Sequence, residues 1–148
     1  MPIKLDKVVF PGWPAIAGQP SFKYKSLEWA MENSTPFVRS VIDTMGTADR
    51  KWCVIDVKIV ELKKSEFPCL SQWHYDCTRD KMDPRREEVH FIWQYGAGSY
   101  TQFENSFVLE PEFIYQYGRE LHAPSPAQFS ERRLLIRKTF SDIVRPKM

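Results

Sequence analysis

The chain has few cysteines, no long apolar run and no excess of charge of either sign, and each absence removes a class of protein. Cys53, Cys69 and Cys77 are odd in number and none are spaced as C-x-x-C, so neither a disulfide framework nor a paired-thiol motif is available. They are expected to be small core residues of a protein in a reducing compartment. No stretch approaches the roughly 20 apolar residues that a membrane helix needs. The opening Met1-Pro-Ile-Lys-Leu-Asp6 is too polar for an export segment. The expectation is therefore a cytoplasmic protein without a membrane partner. Lys and Arg number 21 against 19 Asp and Glu, a net +2 without the clustered basic face that nucleic-acid backbones require. The one basic bias is C-terminal, where Arg132, Arg133, Arg137, Lys138, Arg145 and Lys147 face only Asp142, and it reads as a solvated surface. There is no internal repeat, no Gly-rich phosphate loop and no Ser/His/Asp order of the hydrolase kind.

What is present suits a sheet. Aromatic residues make up 14% of the 148, and such side chains pack well on pleated surfaces. The length predicts one domain, with residues 1–48 supporting a core formed by 49–148. Lys7–Phe10 reads as a short strand before a Pro/Gly-punctuated loop to Pro20, and Ser26–Glu32 as a helical turn or two. Thr35-Pro36 supplies an N-cap and a first-turn proline. Phe37, Val38, Val41, Ile42 and Met45 then follow at helical spacing, with Gly46 as the stop. After Asp49 the pattern turns to strands. Lys51–Leu62 carries Ile55, Val57 and Ile59 on one face, and Cys69–Asp76, Val89–Tyr95, Tyr100–Glu104, Ser106–Leu109, Phe113–Tyr117, Arg119–Ala123 and Arg133–Phe140 follow it. About eight short strands after a helical N-terminus predict a mainly β fold of the jelly-roll type, with one or two N-terminal helices.

His74-Tyr-Asp76 is an H-x-D step, and alternation along a strand aims both side chains at the same space. A second imidazole is offered by His122, at the end of the strand predicted over Arg119–Ala123. Two His and one carboxylate on one face of a metal leave three positions open, as non-haem iron oxygenases require for O₂ and a co-substrate. His90 alternates with Phe91 and Trp93 and is expected to be structural or exposed. Asp80 and Asp83 are expected in solvent, and Cys77 on the face opposite Asp76. Trp73, Trp93, Tyr95 and Tyr115 are candidates to line a pocket, although most aromatics of such a fold are core.

From Trp73 to Asp142 the chain resembles the catalytic core of Fe(II)/2-oxoglutarate-dependent dioxygenases, in particular their compact prolyl-hydroxylase-like branch. Trp73-His-Tyr-Asp76, Gly118-Arg-Glu-Leu-His122-Ala-Pro124 and Arg132-Arg133-Leu-Leu-Ile-Arg137 look like three elements of that core in order. His122 lies 46 residues beyond Asp76, and Arg133 lies 11 beyond His122. Gly98-Ser-Tyr-Thr101-Gln-Phe103 resembles the strand that faces the co-substrate. The resemblance implies a double-stranded β-helix with His74, Asp76 and His122 as iron ligands. It implies Arg133 on the far carboxylate of 2-oxoglutarate, with Thr101 adding a hydroxyl. A guanidinium fork matches a carboxylate bidentately and stays charged when buried. Arg137 lies on the same strand face and is the alternative anchor, while Arg132 would point outward. The implied reaction is oxidative decarboxylation of 2-oxoglutarate to succinate and CO₂ with hydroxylation of a C–H bond, on a protein side chain or small molecule rather than a nucleic acid. The charge-mixed segment 77–88 has no counterpart in that family. With the short chain, it leaves two rivals: a cupin-like binding or inhibitory module without turnover, and a metal-dependent cupin enzyme that does not use 2-oxoglutarate.

Overall fold

The computed structural model describes residues 2–69, 73, 88–104, 107–118 and 120–147. Of these, 40% are in strands and 16% are helical, so the fold is mainly β. No helix among them is long and apolar enough to cross a membrane.

Strand β1 is Ile3–Lys7, and a single 3₁₀ turn follows at Trp13–Ile16. Next come β2 (Phe22–Ser26), α1 (Leu27–Asn33) and α2 (Pro36–Thr44). The remaining strands are β3 (Trp52–Leu62), β4 (Val89–Tyr95), β5 (Thr101–Phe103), β6 (Phe113–Tyr117), β7 (His122–Pro124) and β8 (Glu131–Ser141). Six strands form one antiparallel sheet in the order β1-β6-β4-β8-β3-β2, and β5 pairs with β7 in a second sheet.

Each helix starts where its first N–H groups find a side-chain oxygen. Ser26 accepts from Trp29 N at 3.1 Å, and Thr35 accepts from Val38 N at 3.5 Å ahead of Pro36. Helix α2 buries Val38, Val41 and Ile42 against the large sheet. Alternation along the strands supplies the other half of that core. Ile55, Val57 and Ile59 of β3, Phe91 and Trp93 of β4, Ile114 of β6, and Leu134, Ile136 and Phe140 of β8 all face the helices. Phe10 and Phe37 close the layer, with rings 6.2 and 5.5 Å from that of Trp93. A fully buried side chain of this size stabilises by about 1.5–3 kcal/mol.

Several expected boundaries differ. The first strand lies earlier than Lys7–Phe10, because pairing with β6 engages Ile3, Lys4 and Lys7. Val8 and Phe10 instead donate their N–H groups to Glu112, which turns Phe10 into the core. Strand β2 was not expected; it pairs with β3, a long-range contact that leaves no local pattern. Ser106–Leu109 contributes only an isolated bridge, Gln102 to Val108, among its described residues. At its described positions, Cys69 and Trp73, the predicted strand Cys69–Asp76 is not formed, and Trp73 is exposed. His122 begins β7 rather than ending a strand.

The turn Gly96-Ala-Gly98 shows why glycine stands beside the cavity described below. Gly96 has φ +113°, and a Cβ there would lie 2.1 Å from the Arg132 carbonyl oxygen of the neighbouring strand. The turn therefore brings β4 and β8 together at the base of Arg133. Gly96→Ala should lower the unfolding free energy by at least about 2 kcal/mol in a urea titration. An unchanged midpoint would show that the turn absorbs a methyl group.

Candidate functional site

The second face of the large sheet has a different chemistry. Residues that alternate with the apolar set are Asp56 and Lys58 on β3, Arg133, Leu135, Arg137 and Thr139 on β8, His90, Ile92 and Gln94 on β4, and Tyr115 and Tyr117 on β6. The small sheet lies over this face, where Phe103 and Tyr117 meet ring to ring at 5.4 Å. Between the two sheets is a cavity lined by Lys58, Thr101, Tyr117, His122, Arg133 and Arg137, with Ile92, Leu135, Pro124 and Cys69 completing the wall.

His122 reaches the cavity from the start of β7 and is only 4% exposed. Its Nδ1 lies 2.9 Å from the carbonyl oxygen of Glu120. A carbonyl can only accept, so Nδ1 carries a proton, and in the neutral ring the lone pair is on Nε2. That is the tautomer a metal-binding imidazole needs, set by a backbone acceptor. The rings of Phe103 and Tyr117 lie 5.6 and 5.4 Å from it and hold its plane.

Thr101 sits opposite Gln94. Its N–H donates to Gln94 Oε1 at 2.9 Å, which turns the amide so that Nε2 donates to the Thr101 hydroxyl. A hydroxyl that accepts in this way keeps its own proton to donate to another acceptor.

Arg133 is 3% exposed, and its Nε donates to the Ser99 carbonyl at 2.8 Å. Among the described residues no carboxylate pairs with it. Burial pushes its pKa down to about 10, with the Cys69 and Tyr100 side chains opposing the shift. Arg137, the alternative anchor, is placed otherwise. Its Nε and Nη2 grip Asp56 Oδ2 at 3.1 and 2.9 Å, while Asp56 Oδ1 accepts from Tyr24 N at 2.8 Å. Arg137 is thus neutralised by a buried carboxylate, and among the described residues Arg133 is not. Arg132 is exposed and stacks over Trp13, as expected for the outward position. The reading of the C-terminal basic residues as a solvated surface therefore fails at Arg133 and Lys138, both buried, because alternation in β8 turns one to the cavity and the other to the helices.

Lys58 was not foreseen. It extends from β3 into the cavity wall, where Nζ donates to the Pro68 carbonyl at 2.6 Å. Burial lowers its pKa, and the neighbouring Lys23, Arg133 and Arg137 act in the same direction. A signal existed: with Ile55, Val57 and Ile59 on the core face, Asp56 and Lys58 must share the other face of a long central strand. His90 is buried rather than exposed, with Nδ1 2.8 Å from Thr139 Oγ1 and its ring stacked on Tyr117 at 4.8 Å. Trp93 and Tyr95 belong to the helix-side core and Tyr115 to a cluster with Ile92 and Phe103, so none of the four candidate aromatics lines the cavity. Cys53 is half-buried, with its thiol pushed up to about 11 by burial, and Cys69 is exposed, so the latter is not a core residue.

His74, Asp76, Cys77, Asp80 and Asp83 lie outside the described residues. Among the described residues no three His, Cys, Asp or Glu side chains converge as a metal site, and His122 is the one expected ligand present. No family model matches the chain, and no curated protein or solved structure is detectably similar to it.

The contrast between the two arginines can be measured. An unpaired buried cation opposes folding, so Arg133→Met should raise the unfolding free energy of the ligand-free protein by about 1–2 kcal/mol. Removing one partner of the buried pair by Asp56→Ala should lower it by about 3 kcal/mol. Denaturant titrations of both variants check this, and a destabilised Arg133→Met would make that residue structural.

Proposed function

We propose that the chain is an Fe(II)- and 2-oxoglutarate-dependent dioxygenase on a double-stranded β-helix, with His74, Asp76 and His122 as metal ligands and Arg133 as co-substrate anchor. The observation that carries this reading is the Arg133 guanidinium, buried in the same cavity as His122 and Thr101 without a carboxylate among the described residues. A buried charge normally has a partner, and the missing partner here is an anionic ligand. The rival metal-dependent cupin enzyme that does not use 2-oxoglutarate is favoured by Arg133 and Arg137 outside the cavity, and both line it.

The winding of the chain supports the jelly-roll part of the reading. From β4 to β8 successive strands alternate between the large and the small sheet, and the four central strands of the large sheet run β6-β4-β8-β3. Donor chemistry supports the metal: with Nδ1–H taken by a carbonyl, the neutral ring offers Nε2 to Fe(II) and would complete a two-histidine, one-carboxylate set with the H-x-D step. When bound, the iron supplies the centre at which O₂ and the 2-oxo acid react.

The chain's own residues then have distinct tasks. Arg133 offers its Nη groups to the distal carboxylate, and Thr101 donates its hydroxyl proton to the same end of the ligand. Glu120 fixes the His122 ring through its carbonyl. Ile92, Leu135 and Tyr117 keep water from the wall between these groups. The substrate class proposed is a C–H bond of a protein side chain or a small molecule.

Anaerobic addition of Fe(II) and 2-oxoglutarate to the purified protein should produce the weak visible charge-transfer band of an Fe(II)–2-oxo acid chelate. His122→Ala and Arg133→Ala should abolish it, and His74→Ala should reduce 2-oxoglutarate turnover at least about 100-fold. Carboxylate binding without iron binding would instead make this a binding module, and His74→Ala turnover equal to wild type would sink the proposal.

A further inference from the structure

The cavity holds more positive charge than one carboxylate needs. Lys58, Arg133 and Arg137 all line it, and among the described residues the carboxylate paired with any of them is Asp56, which Arg137 takes. Among the described residues the hydrogen-bond partners of Lys58 and Arg133 there are carbonyl oxygens, those of Pro68 and Ser99. A carbonyl satisfies a donor but does not cancel a charge, so among the described residues neither cation is offset by an anion.

The sheet register places these two cations apart. Arg133 lies opposite Val60, and Lys58 lies opposite Leu135. Lys58 is therefore one strand across from Arg133 and two residues further along, a displacement of roughly 7 Å in the strand direction. The same direction leads on to Arg137, which pairs across to Ile92, and then to His90, which pairs with the Tyr117 that touches His122. Lys58 thus stands between the Arg133 end of the cavity and the His122 end. One carboxylate bound by Arg133 does not span that distance, whereas a four- or five-carbon dicarboxylate does.

We infer that Lys58 is a positioning and specificity-determining residue that receives the second negative group of the ligand, at the end nearer His122, so that the cavity selects dianions over monoanions. This rests on the reading of the cavity as the seat of a 2-oxo dicarboxylate. It goes beyond that reading in assigning a second cation, from β3, to the other end of the ligand. The Pro68 carbonyl keeps the Lys58 ammonium at the wall before the ligand arrives. Placing the charge in advance reduces the ordering needed on binding.

Calorimetric titration of the metal-free full chain with succinate and with butyrate tests the inference. Both acids carry the carboxylate that Arg133 would hold, but only succinate carries a second. Wild type should bind succinate about tenfold or more tightly than butyrate, as a charge-assisted contact implies. Lys58→Met should remove that preference while leaving butyrate affinity within about threefold, and Lys58→Arg should retain it. Arg133→Met should weaken both acids. Equal affinities in wild type overturn the inference without any variant, and so does a Lys58→Met protein that still prefers succinate. If the Fe(II)–2-oxoglutarate band forms in either case, the dioxygenase reading survives and only the role of Lys58 falls. If wild type binds neither acid and forms no band, both are overturned.

Discussion

Strands β3 and β8 pair along their full lengths, from Trp52 opposite Ser141 to Leu62 opposite Glu131, without a bulge. Nearly every other feature depends on that register. It sends Ile55 and Val57 with Leu134 and Ile136 to the helices, and it sends Asp56 and Lys58 with Arg133 and Arg137 to the cavity. Strand alternation allows no intermediate: a slip of one residue would turn one strand over against the other, placing either Asp56 and Lys58 or Arg133 and Arg137 in the aromatic core and that strand's core residues in the cavity. The cost of burying those charges among Phe10, Phe37 and Trp93 enforces the observed pairing as firmly as the apolar contacts do.

The cavity-facing side of the sheet is consequently a site rather than a second hydrophobic core. A sheet buried on both faces ordinarily has apolar residues on both. Here one face has Lys58, Arg133, Arg137, His90, Gln94 and Thr139, arranged so that each is held by a defined partner. Asp56 neutralises Arg137, Thr139 meets His90, and Gln94 and Thr101 satisfy each other reciprocally. Arg133 stands apart because among the described residues it donates to a neutral carbonyl and to no carboxylate. Burial of that guanidinium therefore opposes stability at this position. The core on the helix side supplies the margin that tolerates a buried guanidinium held by a neutral carbonyl.

Much of this was legible locally. Thr35-Pro36 announced α2 because capping is a matter of adjacent residues, and the alternation of Ile55, Val57 and Ile59 announced β3 and its inward face. His122, Thr101 and Arg133, drawn from three separate strands, do line one cavity. What stayed hidden was long-range. Strand β2 exists through its partner β3, and β1 is displaced from the apolar Val8-Val-Phe10 because β6 selects Ile3–Lys7. The basic bias of β8 read as solvent-facing because sequence neighbours alone do not reveal that the small sheet covers Arg133 and the helices cover Lys138.

The chain by itself determined which residues form helix α2 and strands β3, β4, β6 and β8, and which positions within each strand share a face, since capping and pleat alternation are local. Only the tertiary structure decided which of two identical-looking arginines has no carboxylate partner among the described residues. Arg133 and Arg137 lie four residues apart on one face of one strand. Their difference is the presence of Asp56 across the strand pair from Arg137 and of Val60 across from Arg133. Charge pairing is set by neighbours in space, and those neighbours come from a part of the chain more than 70 residues away.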